Sequence, residues 1–243
     1  MKSFNIISIF NNLIHHYMNN AKLKDLYKIR FSNNYLPRKN AIWKVLCRDF
    51  LQNFIPKTNT VIDVASGYGE FINNIKAQRK IAIDLNPEAP QYLNQDVKFQ
   101  FCSALEIENH YPSTADTIFT SNFLEHLSDK SMLNKFFDQV LISLKPGGYY
   151  IIFGPNARYE PGRYRDYYNH HLGLTDKSLY EASILKDFDI DRCIAKFLPF
   201  TTQESIPTHP FFVWLYLRIL CVQIFSSQFF FSAHKKHYLS SNT

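Results

Sequence analysis

The sequence predicts a three-layer α/β/α protein, with one parallel sheet covered by helices on both faces. Three observations carry that expectation. From Thr60 onward, short strand-like runs alternate with helix-like stretches. The runs are mostly apolar, as suits strands buried on both faces. At 243 residues, 46% of them apolar and 16% aromatic, the chain suffices for one domain with a two-sided core.

Ahead of the sheet, residues 1–57 read as a helical extension packed on a core domain of residues 58–243. Between Pro37 and Phe54 the apolar residues Ile42, Val45, Leu46, Phe50 and Phe54 recur at helical spacing, and Pro37 suits a first turn. Five strand-like runs follow: TVIDVA (60–65), KIAIDL (80–85), VKFQFC (97–102), DTIFTS (116–121) and YYIIFG (149–154). Helices are expected between them. The clearest is 129–144, where Leu133, Phe136, Phe137, Val140, Leu141 and Leu144 form one stripe and Ser128 is a natural N-cap. A polar and aromatic insert spans 156–173. Beyond it a helix opens at Thr175, a strand-like run covers 188–201, an apolar helix lies at about 209–225 and a last strand at 228–234.

Composition narrows the function classes. Cys47, Cys102, Cys193 and Cys221 lie far apart with no CxxC pair, which reads as reduced, buried thiols and not as a disulfide framework or a zinc site. The opening MKSFNIISIFNNLIHHY is broken by asparagines and lacks a small-residue cleavage site, so no signal peptide is expected and a cytoplasmic location is. Residues 210–225 are too short to span a bilayer and contain Arg218, so they read either as a core helix or as a helix in peripheral contact with a membrane. Residues 1–57 hold ten Lys and Arg against two Asp. Such a segment suits phosphates or a solvated helix face, and no nucleic-acid module accompanies it, so nucleic acid is not an expected partner.

The chemistry concentrates in VIDVASGYGEF (61–71): a strand, a carboxylate, small residues, then Gly67-Tyr68-Gly69 leading into a helix. Glycine lets the backbone turn tightly and approach a ligand at the C-terminal edge of a sheet. Asp84 ends the next strand, 21 residues after Asp63, placed to accept both hydroxyls of an adenosine ribose. A dinucleotide would want a third glycine where Ile72 stands, and the acidic Asp63 and Glu70 suit a pyrophosphate poorly. They fit the sulfonium and ammonium groups of S-adenosylmethionine better.

The order VIDVASGYG, IAIDLNP, FCSALE, ADTIFTSNFLEHL, LKPGGYYIIFGPN resembles the class I, Rossmann-like, S-adenosylmethionine-dependent methyltransferase family. That resemblance implies a mostly parallel seven-stranded sheet with an antiparallel last strand, supplied by QFFFSAHK (228–235). It implies S-adenosyl-L-methionine as cofactor. Asp63, Ala65, Ser66, Gly67 and Gly69 would line its methionine part, Asp84, Leu85 and Asn86 its ribose and one adenine face, Cys102, Ser103 and Ala104 the adenine edge, and Asn122 the methionine end. Two positions depart: the family usually has glycine at Ala65 and often aspartate at Ser103. The stretch YRDYYNHHLGLTDKSLYE (164–181) with FLPFT (197–201) is similar to bacterial members associated with glycan or surface-polysaccharide biosynthesis.

The implied function is O-methylation of a small-molecule or glycan-type acceptor, which could be lipid-linked. The alternatives are an RNA or protein methyltransferase and a non-catalytic cofactor-binding subunit. Base candidates are Glu125 and His126 after the fourth strand, and His170 or His171 in the insert, which is expected to act as a lid over the acceptor. Arg158, Arg163, Arg165, Tyr159, Tyr164, Tyr167 and Tyr168 make that insert suited to a polar or phosphorylated acceptor. Glu125-His126 also resembles part of an E-x-x-E-H metal motif, but Asn122 replaces the first glutamate, which leaves two strong ligands and at most a histidine from the insert. No metal is expected, since a hard cation prefers several oxygens.

Overall fold

The computed structural model describes residues 35–160, 162–199, 210–218 and 226–236. Seven strands form one sheet: β1 (Thr60–Val64), β2 (Arg79–Asp84), β3 (Val97–Phe101), β4 (Ala115–Ser121), β5 (Leu144–Pro155), β6 (Phe188–Leu198) and β7 (Gln228–Lys235). Their order is β3-β2-β1-β4-β5-β7-β6. Strands β1 to β5 are parallel, and β7 runs antiparallel to both β5 and β6. This is the expected sheet. The chain steps outward from β1 to β3 and then returns to β4, so a crevice opens where β1 and β4 end.

Helices α1 (Tyr35–Asp49), α2 (Lys130–Ser143), α3 (Asp176–Leu185) and α4 (Pro210–Arg218) flank the sheet. Neighbouring strand residues point to opposite faces. Ile62, Ile81, Ile118 and Ile152 therefore pack against Leu133, Phe136, Phe137 and Val140 of α2 and Leu179 of α3. Val61, Ala82, Phe119, Ile151 and Phe153 pack against Ile42, Trp43 and Leu46 of α1. The Trp43 ring stacks on Phe153 at 5.9 Å and meets Phe119 edge-on at 6.0 Å. Burying each such side chain stabilises by about 1.5–3 kcal/mol. The few tenths that Ile, Val and Trp cost in a helix are small beside that, so packing decides α1.

Several expectations are corrected. The cap of α2 is Asp129, whose Oδ1 accepts from the Met132 N–H at 2.9 Å; Ser128 instead donates to the Asp129 carboxylate. No continuous helix follows Gly69. Isolated α-type bonds, Asn73 N–H to Gly69 O and Ile75 N–H to Phe71 O, sit among turns. The cause is local competition: Asn73 binds Tyr92 O and Asn94 N–H, and Asn74 binds Glu70 O and Asn40 of α1, tying the segment to the β2–β3 connection and to α1. The β2–β3 and β3–β4 connections carry only 3-10 turns, Ala89–Tyr92 and Ala104–Asn109. The 37–54 pattern divides into α1 and a 3-10 turn, Leu51–Asn53, and β5 begins early at Leu144, with its pairing shifting between Ala115 and Thr117. Cys47 and Cys102 are buried as expected, but Cys193 is exposed because it lies on the edge strand β6.

Thr175 caps α3 through a reciprocal box with Ser178. Helix α4 lies against α1, with Val213 and Leu217 on the core and Phe211 and Phe212 exposed. Among the described residues no helix is long and apolar enough to cross a membrane. The expectations for residues 1–34, for Cys221 and for 219–225 lie outside the described residues.

Candidate active site

The loop after β1 is a backbone turn pinned to the next strand. The Ser66 N–H donates to Ile83 O at 3.1 Å and the Gly69 N–H to Ser66 O at 2.8 Å. Gly67 and Gly69 sit at φ +55° and +74°, the left-handed region that glycine enters freely. A Cβ on Gly69 would stand 2.4 Å from Leu93 Cδ2, whereas one on Gly67 would meet nothing within 4 Å. The Gly67 backbone thus faces open space that a ligand can enter. The hydroxyl of Ser66 is buried beside it without a hydrogen-bond partner.

Ala65 takes φ +57°. A left-handed alanine costs about 1–2 kcal/mol, and glycine loses only about 0.5–1 kcal/mol of extra chain entropy. Ala65→Gly is therefore expected to stabilise the protein by up to about 1 kcal/mol, seen as a rise of about 2–4 °C in thermal unfolding.

Three carboxylates converge on this loop. Asp84 Oδ2 accepts from the Gly67 N–H and Oδ1 from the Asn86 N–H, both at 2.7 Å. A carboxylate offers about four lone-pair sites, so both oxygens can still accept from ribose hydroxyls. Burial pushes the Asp84 carboxyl up, partly offset by the N–H groups of Gly67, Asn86 and Leu85. Asp63 is wholly enclosed. Burial first, then the charges of Glu70 and Asp84, hold its carboxyl well above the usual aspartate range. Glu70 pairs with Lys39 of α1 at 2.7 Å. A cationic ligand here would let the enclosed carboxyls ionise, whereas a pyrophosphate would be repelled by them, which is how the donor set fits S-adenosylmethionine.

The remaining expected contacts lie along the same edge. Leu85 and Asn86 are half-buried, and Asn86 Oδ1 accepts from the Glu88 N–H at 3.0 Å. Burial raises the Cys102 thiol to about 11, so it packs and does not react. Ser103 Oγ accepts from the Leu105 N–H at 3.2 Å and caps the turn that Ala104 begins. Asn122, at φ +50°, donates its N–H to Phe153 O and its Nδ2 to Ser121 Oγ, both at 3.0 Å, bridging the ends of β4 and β5. Sequence reasoning missed Lys39 and the edge-to-face pair Tyr68–Tyr92, 4.5 Å apart beside the loop. Lys39 belongs to the basic run before β1, but nothing in the sequence names its partner.

The acceptor-side candidates divide in two. Glu125 and His126 lie in the 3-10 turn Leu124–His126 after β4. The backbone N–H groups of His171 and Leu172 both donate to Glu125 O, at 2.8 and 3.1 Å, and the Tyr164 hydroxyl donates to Leu172 O. The insert is thereby fastened across the C-terminal edge. His170 stacks on Tyr167 at 4.8 Å, and its ring lies 5.1 Å from that of His126. Ligand atoms of Glu125, His126 and His170 all fall within 4.8 Å of one another. His171 is exposed and contributes its main chain. Tyr164 is buried, and burial followed by the charge of Glu125 pushes its phenol up. Arg158, Arg163 and Arg165 are exposed, with Arg163 3.9 Å from Glu160.

Residues 38–188, more than half of the chain, match the family model described as a methyltransferase domain. The chain belongs to this methyltransferase family. The methyltransferase superposes on solved structures at low identity, which shows the shared fold. A SAM-dependent methyltransferase from Archaeoglobus fulgidus aligns at 18% identity and TM-score 0.60, over 88% of this chain and 99% of that one. One from Methanosarcina mazei gives 17% and 0.56, over 78% and 98%. The N-methyltransferase NodS from Bradyrhizobium japonicum gives 11% and 0.55, over 85% and 99%. No curated protein sequence matches the chain. The carboxylate loop is the part of this methyltransferase whose chemistry fits S-adenosylmethionine.

Proposed function

We propose that this methyltransferase methylates a hydroxyl oxygen of a small-molecule or glycan-type acceptor. The observation that carries the reading is the Glu125–His126–His170 cluster, built on the turn that follows β4, the strand next to β1. Bound S-adenosylmethionine supplies a methyl group on a cationic sulfur with an excellent leaving group. The protein is left with alignment, exclusion of water and removal of the acceptor's proton. Asp63, Glu70 and the turn at Ser66–Gly69 would hold the methionine part, and Asp84 the ribose. The insert would close over the acceptor, and the Glu125–His126–His170 cluster would relieve its hydroxyl of the proton.

A glycan is favoured by the insert's surface, where half-buried Tyr159 and Tyr167 alternate with exposed Arg158, Arg163 and Arg165. Aromatic faces carry sugar rings and guanidinium groups hold hydroxyls or phosphates. A lipid-linked form is supported by the outward Phe211 and Phe212 of α4, 54% and 49% exposed. Double substitution of Arg163 and Arg165 with alanine is expected to raise the acceptor's apparent KM about tenfold and leave kcat near native, as for contacts made equally in ground and transition states. Steady-state kinetics on the acceptor check this.

The deciding experiment incubates the enzyme and S-adenosylmethionine with free sugars, lipid-linked sugars, phenols, amines and RNA, and reads methylated products by mass spectrometry. An O-methyl sugar or phenol supports the reading. Methylation confined to amines or RNA would overturn it.

A further inference from the structure

We infer that Glu125, His126 and His170 hold a divalent transition-metal ion. This rests on the reading of their cluster as the place where the acceptor is activated. Two imidazoles and one carboxylate suit borderline ions such as zinc, cobalt or nickel, whereas magnesium, calcium and manganese seek more oxygens. The sequence places Glu125 and His126 side by side and leaves open whether an insert histidine joins them. The insert's fold brings the third donor, His170, from 44 residues downstream of His126.

The donors are oriented as well as close. His126 Nδ1 lies 2.9 Å from Asn169 O, and a carbonyl can only accept, so Nδ1 carries the hydrogen and Nε2 the lone pair. Such an outer hydrogen bond fixes tautomer and ring plane, as it does for metal-bound histidines. The backbone on both sides is locked by the His171 and Leu172 N–H groups on Glu125 O. Glu125 itself is buried, which holds its side chain in place beside the two rings. Around an ion with bonds of about 2.0–2.2 Å, ligand atoms stand about 3.3 Å apart. Side-chain rotation of about 1.5 Å closes the present separations of up to 4.8 Å. Three protein ligands leave at least one position open. A hydroxyl entering there is acidified by the ion, and its proton leaves to solvent as the oxygen turns toward the methyl group.

The full chain is stripped with chelator and titrated with zinc by calorimetry and with cobalt by visible absorption. The expected result is one ion per chain, with the cobalt bands of a low-coordinate nitrogen–oxygen site, and no comparable binding of magnesium. His126→Ala, His170→Ala and Glu125→Gln should each weaken binding at least about 100-fold, while His171→Ala keeps it. Thermal melts and S-adenosylmethionine binding confirm that each variant is folded. Absence of stoichiometric binding, or native binding by the folded His126→Ala and His170→Ala variants, would overturn the inference. The two readings fail separately. A stripped enzyme with full turnover rules out the metal and leaves O-methylation standing; ion binding to the triad, with only amines methylated, does the reverse.

Discussion

Replacing both His126 and His170 with alanine is expected to lower turnover about 10²–10⁴-fold and leave cofactor affinity within about threefold of native. The two rings stand together beside Glu125 at the end of β4, whereas Asp84 bonds the N–H groups of Gly67 and Asn86. On the proposed reading, activation of the acceptor and retention of the cofactor would be carried by different residues. The single His171→Ala change should be nearly silent, because that side chain is exposed and its N–H remains. Initial rates with saturating cofactor, alongside calorimetry with S-adenosylmethionine, separate the two effects. Full turnover in the double variant would move acceptor activation elsewhere, and loss of cofactor binding would make the cluster a structural support.

The second large effect has two signs. Asp63→Asn should weaken S-adenosylmethionine binding about 10–100-fold, the scale of a lost charged contact of about 1.5–3 kcal/mol. Asp84→Ala should do the same through the ribose. Yet Asp63→Asn should make the cofactor-free protein more stable. The Asp63 carboxyl is held well above its ordinary value near 3.8 by burial and by Glu70 and Asp84. The folded state therefore keeps a proton that the unfolded chain has released. The resulting stabilisation is complete below the ordinary aspartate pKa and is lost as pH rises through the folded value. Native melting temperature should fall with pH over that window, and Asp63→Asn should flatten the fall. Thermal melts from mildly acidic to mildly alkaline pH read the slope directly. A native profile that rises with pH across the window would contradict the account.

Much of this was legible in the sequence because burial writes itself plainly there. Strands covered on both faces became apolar runs, so β1 to β5 were placed to within a few residues, and Asp63 and Asp84 followed from their positions on β1 and β2. What escaped depends on partners distant in the chain. The helix after Gly69 failed because Asn73 and Asn74 found partners in the connection at Tyr92–Asn94 and on α1 at Asn40. The Lys39–Glu70 pair needs α1 docked before it exists. Ser128 and Asp129 are equally good caps by type, and only the geometry of the turn chooses between them. Likewise His170 and His171 are identical to a sequence reader. The backbone bonds of His171 to Glu125 decide which ring enters the cluster.

The doubly bonded carbonyl of Glu125 also bears on how this enzyme could be re-engineered. The insert ends on that one oxygen, and its His126 contact runs through Asn169. Residues 156–173 are thus no detachable cassette. A chimera that received only a relative's insert would present its rings to a turn shaped for other neighbours, whereas exchanging 122–128 together with 156–173 would carry both halves of the joint. Substrate scope in this scaffold should be inherited by that pair of segments as a unit.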